Sequence, residues 1–97
     1  MSSTRPTDDA DARTVRLVYF SWVREMIGRE EDEVALPGRV RTVDDLIHFL
    51  RDYGETHRAV MEHDGVIRFA IDEEVAARDD PIGAPREIAI FPPMTGG

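Results

Sequence analysis

The sequence predicts an α+β fold, a mixed sheet with one main helix packed across one face and short helices beside it. Three observations carry that expectation. A β-branched and aromatic run opens the ordered region at residues 14–20, a second strand-like run closes it at Glu87–Phe91, and the longest amphipathic helix lies between them with an apolar stripe that needs a sheet to rest on. The 97 residues fit one small domain, because a self-sufficient core takes roughly 50 residues or more.

Residues 1–13 are rich in Ser, Thr, Asp, Ala and Arg and hold no large apolar residue after Met1, so they are expected to form a disordered tail ahead of a domain spanning 14–93. In the opening strand Val15, Leu17 and Tyr19 share one face and Arg16, Val18 and Phe20 the other. Ser21 is positioned to cap a short helix carrying Trp22, Val23, Met26 and Ile27, which Gly28 stops. The acidic run at 30–33 leads into a strand at 33–36, closed by Pro37 and Gly38, that can pair with the first. Thr42 with Asp45 forms a capping-box pattern. Val43, Leu46, Ile47 and Leu50 then follow helical spacing up to a stop at Gly54. A weaker helical piece at 57–62 precedes two strand candidates, 66–71 and 75–78, joined by a turn at 72–74. The last strand ends at Pro92 and Pro93, neither of which can donate a ladder hydrogen bond, and residues 94–97 remain as a tail.

Composition narrows the chemistry. A formal net charge of -8 argues against nucleic acid and suits a basic protein partner. With no cysteine there is no disulfide, thiolate metal site or side-chain persulfide. All 12 basic residues are Arg, so no Schiff-base lysine or lysine acceptor exists either. No apolar run approaches the roughly 20 residues of a membrane span and no signal-peptide core is seen, so a cytoplasmic protein is expected. His48, His57 and His63 lack metal-pair spacing and are read as structural or surface residues; the carboxylates at 30–33, 72–74 and 79–80 fall at turns, where solvated charge is ordinary. Most aromatics coincide with strand or helix faces and are expected in the core. Phe91, beside Pro92, is the candidate for an exposed docking patch. No phosphate loop, nucleophile elbow or dinucleotide fingerprint occurs, so no cofactor is expected on this chain.

The ending Gly96-Gly97 is the most unusual feature, a chance event of about one chain in 200 at typical glycine frequency. Glycines without a Cβ let a chain thread a narrow channel, and the two prolines stiffen its exit from the strand. Such a tail can deliver a carboxylate into another protein's active site. Activation as a mixed anhydride with AMP makes that carboxylate an acyl donor, and attack by sulfide or persulfide leaves a thiocarboxylate.

The segment 88–97, ending FPPMTGG, resembles the terminus of the molybdopterin synthase sulfur carrier (small) subunit family. Residues 15–28, reading VRLVYFSWVREMIG, and the helix after Thr42 are similar to the same family. The resemblance implies a ubiquitin-like β-grasp fold with Gly97 as the residue adenylated and thiocarboxylated, Gly96 as its small neighbour, and Phe91, Pro93, Met94 and Thr95 as the docking tail. It implies a ubiquitin-activating-like adenylyltransferase that supplies ATP and Mg, and a large catalytic subunit in a heterotetramer where sulfur passes to cyclic pyranopterin monophosphate. On that reading the chain is a sulfur-donating subunit with no active site of its own. Met94 stands where the family more often has Val, and Asp72 where many relatives carry Asn. The same terminus occurs in thiamine and tRNA thiolation carriers and in ubiquitin-like protein modifiers, which remain alternatives, as does an interaction module whose glycines are incidental.

Overall fold

The structure is a computed structural model that describes residues 12–93. The opening run forms β1 (Arg13–Tyr19), starting one residue before the expected Thr14, and β2 (Glu31–Leu36) pairs antiparallel to it with Val15 opposite Val34 and Leu17 opposite Asp32. Between them α1 (Ser21–Ile27) ends at Gly28, whose φ of 89° is the left-handed conformation a side chain resists. Ser21 does not cap it. Phe20 occupies the cap position without a side-chain hydrogen bond, and Ser21 itself has φ 58°.

The main helix α2 (Val43–Arg51) is capped as its sequence predicts: the Asp45 amide donates to Thr42 Oγ1 at 3.1 Å, and the Thr42 amide donates to Asp45 Oδ2 at 3.1 Å. It ends at Asp52 rather than at Gly54. Gly54, in extended conformation, instead starts α3 (Glu55–Met61), where Glu55 sits in the first turn beside the positive end of the helix dipole. Residues 66 and 67 close a turn whose amides donate to the His63 carbonyl, so β3 is only Arg68–Ile71. β4 is Glu74–Ala76, and β5 (Glu87–Phe91) has the expected bounds. The β3–β4 hairpin turns on Asp72 and Glu73, with φ of 48° and 77°, the mirror-image turn that matches strand twist. Asp72 Oδ1 also accepts from the amides of Arg86 and Glu87, both at 3.1 Å, tying the hairpin to the start of β5.

The strands form one mixed sheet in the order β2-β1-β5-β3-β4. β1 and β5 run parallel in its middle, and the other pairings are antiparallel. One sheet face, carrying Val15, Leu17, Tyr19, Val34, Leu36, Phe69, Ile88 and Ile90, makes a single core with Val23 and Ile27 of α1, Leu46, Ile47 and Leu50 of α2, and Val60 and Met61 of α3. All three helices therefore cover the same face, and burial of their apolar stripes is the main stabilising term. Beside this core, at the β1–β2 edge, lies a buried polar cluster: the Tyr19 hydroxyl donates to Asp32 Oδ2 at 2.8 Å and meets His57 Nε2 at 2.9 Å.

Candidate functional site

The alternation of β strands places a second set of side chains on the sheet face that carries no helix. In β1 these are Arg16 and Val18, followed by Phe20; in β5 they are Glu87, Ala89 and Phe91. Parallel pairing sets Val18 beside Ala89, and the Phe20 amide donates to the Ile90 carbonyl at 3.2 Å, so Phe20 and Phe91 lie at the same end of neighbouring central strands. Across β5, Phe91 pairs with Arg68 and Ala89 with Ala70, which in turn faces Val75 of β4. The result is an apolar strip across the open face. Its most accessible members are Val75 at 69% and Phe20 at 46% exposed. An ion pair between Arg16 and Glu87, 3.4 Å, borders it at the end away from the phenylalanines.

This strip meets the chain's exit. β5 leads directly through half-buried Phe91, Pro92 and Pro93 towards the C-terminus. Of the residues expected to form the site, Phe91 and Pro93 are placed here, while Met94, Thr95, Gly96 and Gly97 lie outside the described residues. Phe20 and Tyr53, assigned to the core with the other aromatics, are 46% and 43% exposed and correct that expectation. The signal for Phe20 was present. Its position opposite Tyr19 in the alternation, in a chain with helical cover for one face only, leaves it outside. Val75 was unremarked because a three-residue strand gives almost no periodicity.

The buried polar cluster is the other concentration of titratable groups. Burial, then the neighbouring Asp32 carboxylate, pushes the Tyr19 hydroxyl well above its ordinary range, so it remains protonated. The Arg29 guanidinium, donating to both Asp32 oxygens at 2.7 and 2.9 Å, holds that carboxyl below its usual 3.8. His57, only 2% exposed, has its pKa lowered by burial against the attraction of Asp32. With the tyrosine proton committed to Asp32, neutral His57 donates from Nε2 to the tyrosine oxygen. Among the described residues no fully buried side-chain nitrogen or oxygen lacks a hydrogen-bond partner. The cluster clamps α3 to β1 and β2. Among the described residues no group of three or more His, Asp or Glu is arranged to hold a metal ion, and no helix is long and apolar enough to cross a membrane.

A five-stranded mixed sheet with its helices on one face and its last strand at the centre, beside the first, defines a ubiquitin-like β-grasp protein. The chain belongs to the ThiS family, whose pattern it matches over residues 17–97. It is 30% identical to the molybdopterin synthase sulfur carrier subunit of Escherichia coli, over 86% of this chain and 99% of that one. It is 27% identical to the subunit of the same name from Caenorhabditis briggsae, over 87% and 98%. Among solved structures it is similar to small archaeal modifier protein 1 (SAMP1) of Haloferax volcanii, with a TM-score of 0.65 and 27% identity over 87% of this chain and 99% of that one. The fold is also that of a putative molybdopterin converting factor subunit 1 from Pyrococcus furiosus, with a TM-score of 0.67 at 23% identity over 84% and 99%.

Proposed function

We propose that this chain is the sulfur carrier subunit of a molybdopterin synthase and that the carboxylate of Gly97 is its working group. The observation that carries the reading is the placement of β5: the central strand runs beside an open apolar strip and is followed by Pro92 and Pro93, the last residues described, with four residues of sequence beyond them. On this reading the chain divides into an N-terminal segment ahead of β1, a domain ending at Pro93, and a delivery tail. Similarity to sulfur carrier subunits along nearly their whole length supports it.

The chemistry runs in three balanced steps. A carboxylate oxygen of Gly97 attacks the α-phosphorus of ATP, held with Mg by a separate adenylyltransferase, and pyrophosphate leaves. Sulfide attacks the acyl carbon and displaces AMP to leave the thiocarboxylate; when the donor is a persulfide, the acyl disulfide formed is cleaved by thiols, which end as a disulfide, and in either case one terminal oxygen is replaced by sulfur. The thiocarboxylate sulfur then displaces an oxygen substituent from a carbon of cyclic pyranopterin monophosphate in the large subunit, and water hydrolyses the resulting thioester, which leaves the sulfur on the pterin and restores the Gly97 carboxylate. This chain supplies the docking face, with Phe20, Val75 and Phe91, and the threading tail of Met94, Thr95, Gly96 and Gly97; the assembly is a heterotetramer in the cytoplasm. The test is conversion of the pterin by a large subunit mixed with the thiocarboxylated chain. Stoichiometric sulfur transfer supports the assignment, and no product with an otherwise active large subunit overturns it.

A second reading, that the chain is a protein modifier, draws on the similarity to small archaeal modifier protein 1. It requires an isopeptide bond from Gly97 to lysines of other proteins, since this chain has none. Conjugates in lysates that vanish on deleting Gly97 favour this reading; their absence, with pterin conversion intact, removes it.

A further inference from the structure

The sheet has two edges of unequal kind. β4 is three residues long, whereas β2 presents six residues at the opposite edge. The hydrogen-bond phase of β2 follows from β1. The amides of Arg16 and Phe20 donate towards β5, while the Tyr19 amide donates to Glu30, so the odd-numbered residues of β1 bond β2. In an antiparallel pair the alternate residues turn their backbone groups away. Glu31, Glu33 and Ala35, opposite Val18, Arg16 and Thr14, therefore aim N–H and C=O out of the sheet, and among the described residues nothing pairs with that row.

Charge and shape along the row specify what can pair with it. The exposed side chains of Glu31 and Glu33 lie on the helix-free face, and no hydrogen bond or ion pair among the described residues engages either carboxylate. Arg16, opposite Glu33, bonds Glu87 instead, and Arg29 is committed to Asp32. On the inner face Asp32 is neutralised by Arg29, and above it stand His57 and, 4.9 Å from that ring, the half-exposed ring of Tyr53. A second copy of β2 laid antiparallel here would bring glutamates near glutamates, which is destabilising.

We propose that the free edge of β2 takes up an extended, basic segment of another protein by strand addition, with alternate Arg or Lys side chains beside Glu31 and Glu33 and the intervening apolar side chains towards Tyr53. Backbone pairing at Glu31, Glu33 and Ala35 supplies the affinity and the alternation supplies the selectivity. This surface lies two strands from β5, and its use does not depend on what happens at Gly97.

The test is an NMR titration of the 15N-labelled full chain with a capped octapeptide of alternating Arg and Val, against a peptide of the same composition with the arginines and valines in separate blocks. Binding of the alternating peptide slows exchange of the Glu31, Glu33 and Ala35 amides at least about tenfold, and the block peptide binds measurably more weakly. Glu31→Gln with Glu33→Gln weakens binding by about tenfold, an effect that added salt mimics. Glu33→Pro removes an outward donor but no bond to β1 and abolishes binding; Ala35→Pro is the parallel variant, with the dispersion and melting of each confirming its fold. Equal binding of both peptides, protection elsewhere, binding that survives a folded proline variant, or no binding up to about 1 mM, where even a weak −4.1 kcal/mol contact registers, overturns the proposal. So does protection of the same amides without peptide as concentration rises, which would assign the edge to a second copy.

Discussion

The Tyr19, His57 and Asp32 side chains show how a polar group can be buried at low cost in a core this small: each donor has an acceptor, and no side-chain nitrogen or oxygen among the described buried atoms lacks a partner. Tyr19→Phe leaves His57 and Asp32 without the bridging hydroxyl and is expected to cost about 1–2 kcal/mol in urea denaturation. The cluster also sets acid sensitivity. Because His57 has a folded pKa below its ordinary 6.5, the unfolded chain binds a proton that the folded chain resists. Its stabilising contribution is complete above 6.5 and is lost as the pH falls through the lower folded value. Asp32, depressed below 3.8, acts in the same direction in a more acidic window. His57→Gln, which keeps an N–H donor, should therefore flatten the fall in denaturation midpoint just below pH 6.5; an unchanged slope contradicts the assignment. The sequence marked His57, like His48 and His63, only as a structural or surface histidine, and its partners were not legible, since 13 and 38 residues separate Tyr19 from Asp32 and His57 and only the tertiary fold joins them.

Elements announced by local chemistry are the ones the sequence makes legible. Thr42 with Asp45, Gly28 after an apolar turn, and the two prolines after β5 each act within a few residues of themselves, and each marks a boundary found in the structure. Thr42→Ala removes the reciprocal cap and is expected to lower stability by about 1 kcal/mol, read from the thermal midpoint. Gly54 misled because a glycine can follow one helix or precede another. The main helix closes at Asp52, and Gly54 belongs to the next element. Ser21 misled because its hydroxyl was counted as a cap while the backbone there takes a positive φ. Glu73, with φ 77° in a two-residue turn, holds a conformation that glycine adopts without penalty. Glu73→Gly is thus expected to raise stability by about 0.5 kcal/mol, and a loss of stability would show that its side chain contributes more than its backbone costs.

At the level of the whole molecule, the described helices lie on one sheet face and build the core with it, while the other face carries the apolar strip to which the proposed function assigns docking. The α+β architecture was readable because strand runs at both ends and one amphipathic helix leave few alternatives. The apolar strip was only half readable, since Phe91 stood out beside the prolines whereas Phe20 and Val75 join it through strand order alone. Phe20→Ser should change stability by no more than about 0.5 kcal/mol while weakening association with a large synthase subunit about tenfold or more in calorimetry. Equal affinity would remove the strip from the interface. The proposed function places the chain's chemistry on the carboxylate of Gly97. Intact-mass and peptide analysis after incubation with ATP, Mg, the adenylyltransferase and a sulfur source tests this directly. The expected result is one oxygen replaced by sulfur on the peptide ending in Gly97, and no change in a chain lacking that residue; sulfur on another peptide, or an unchanged mass with an active adenylyltransferase, would contradict it.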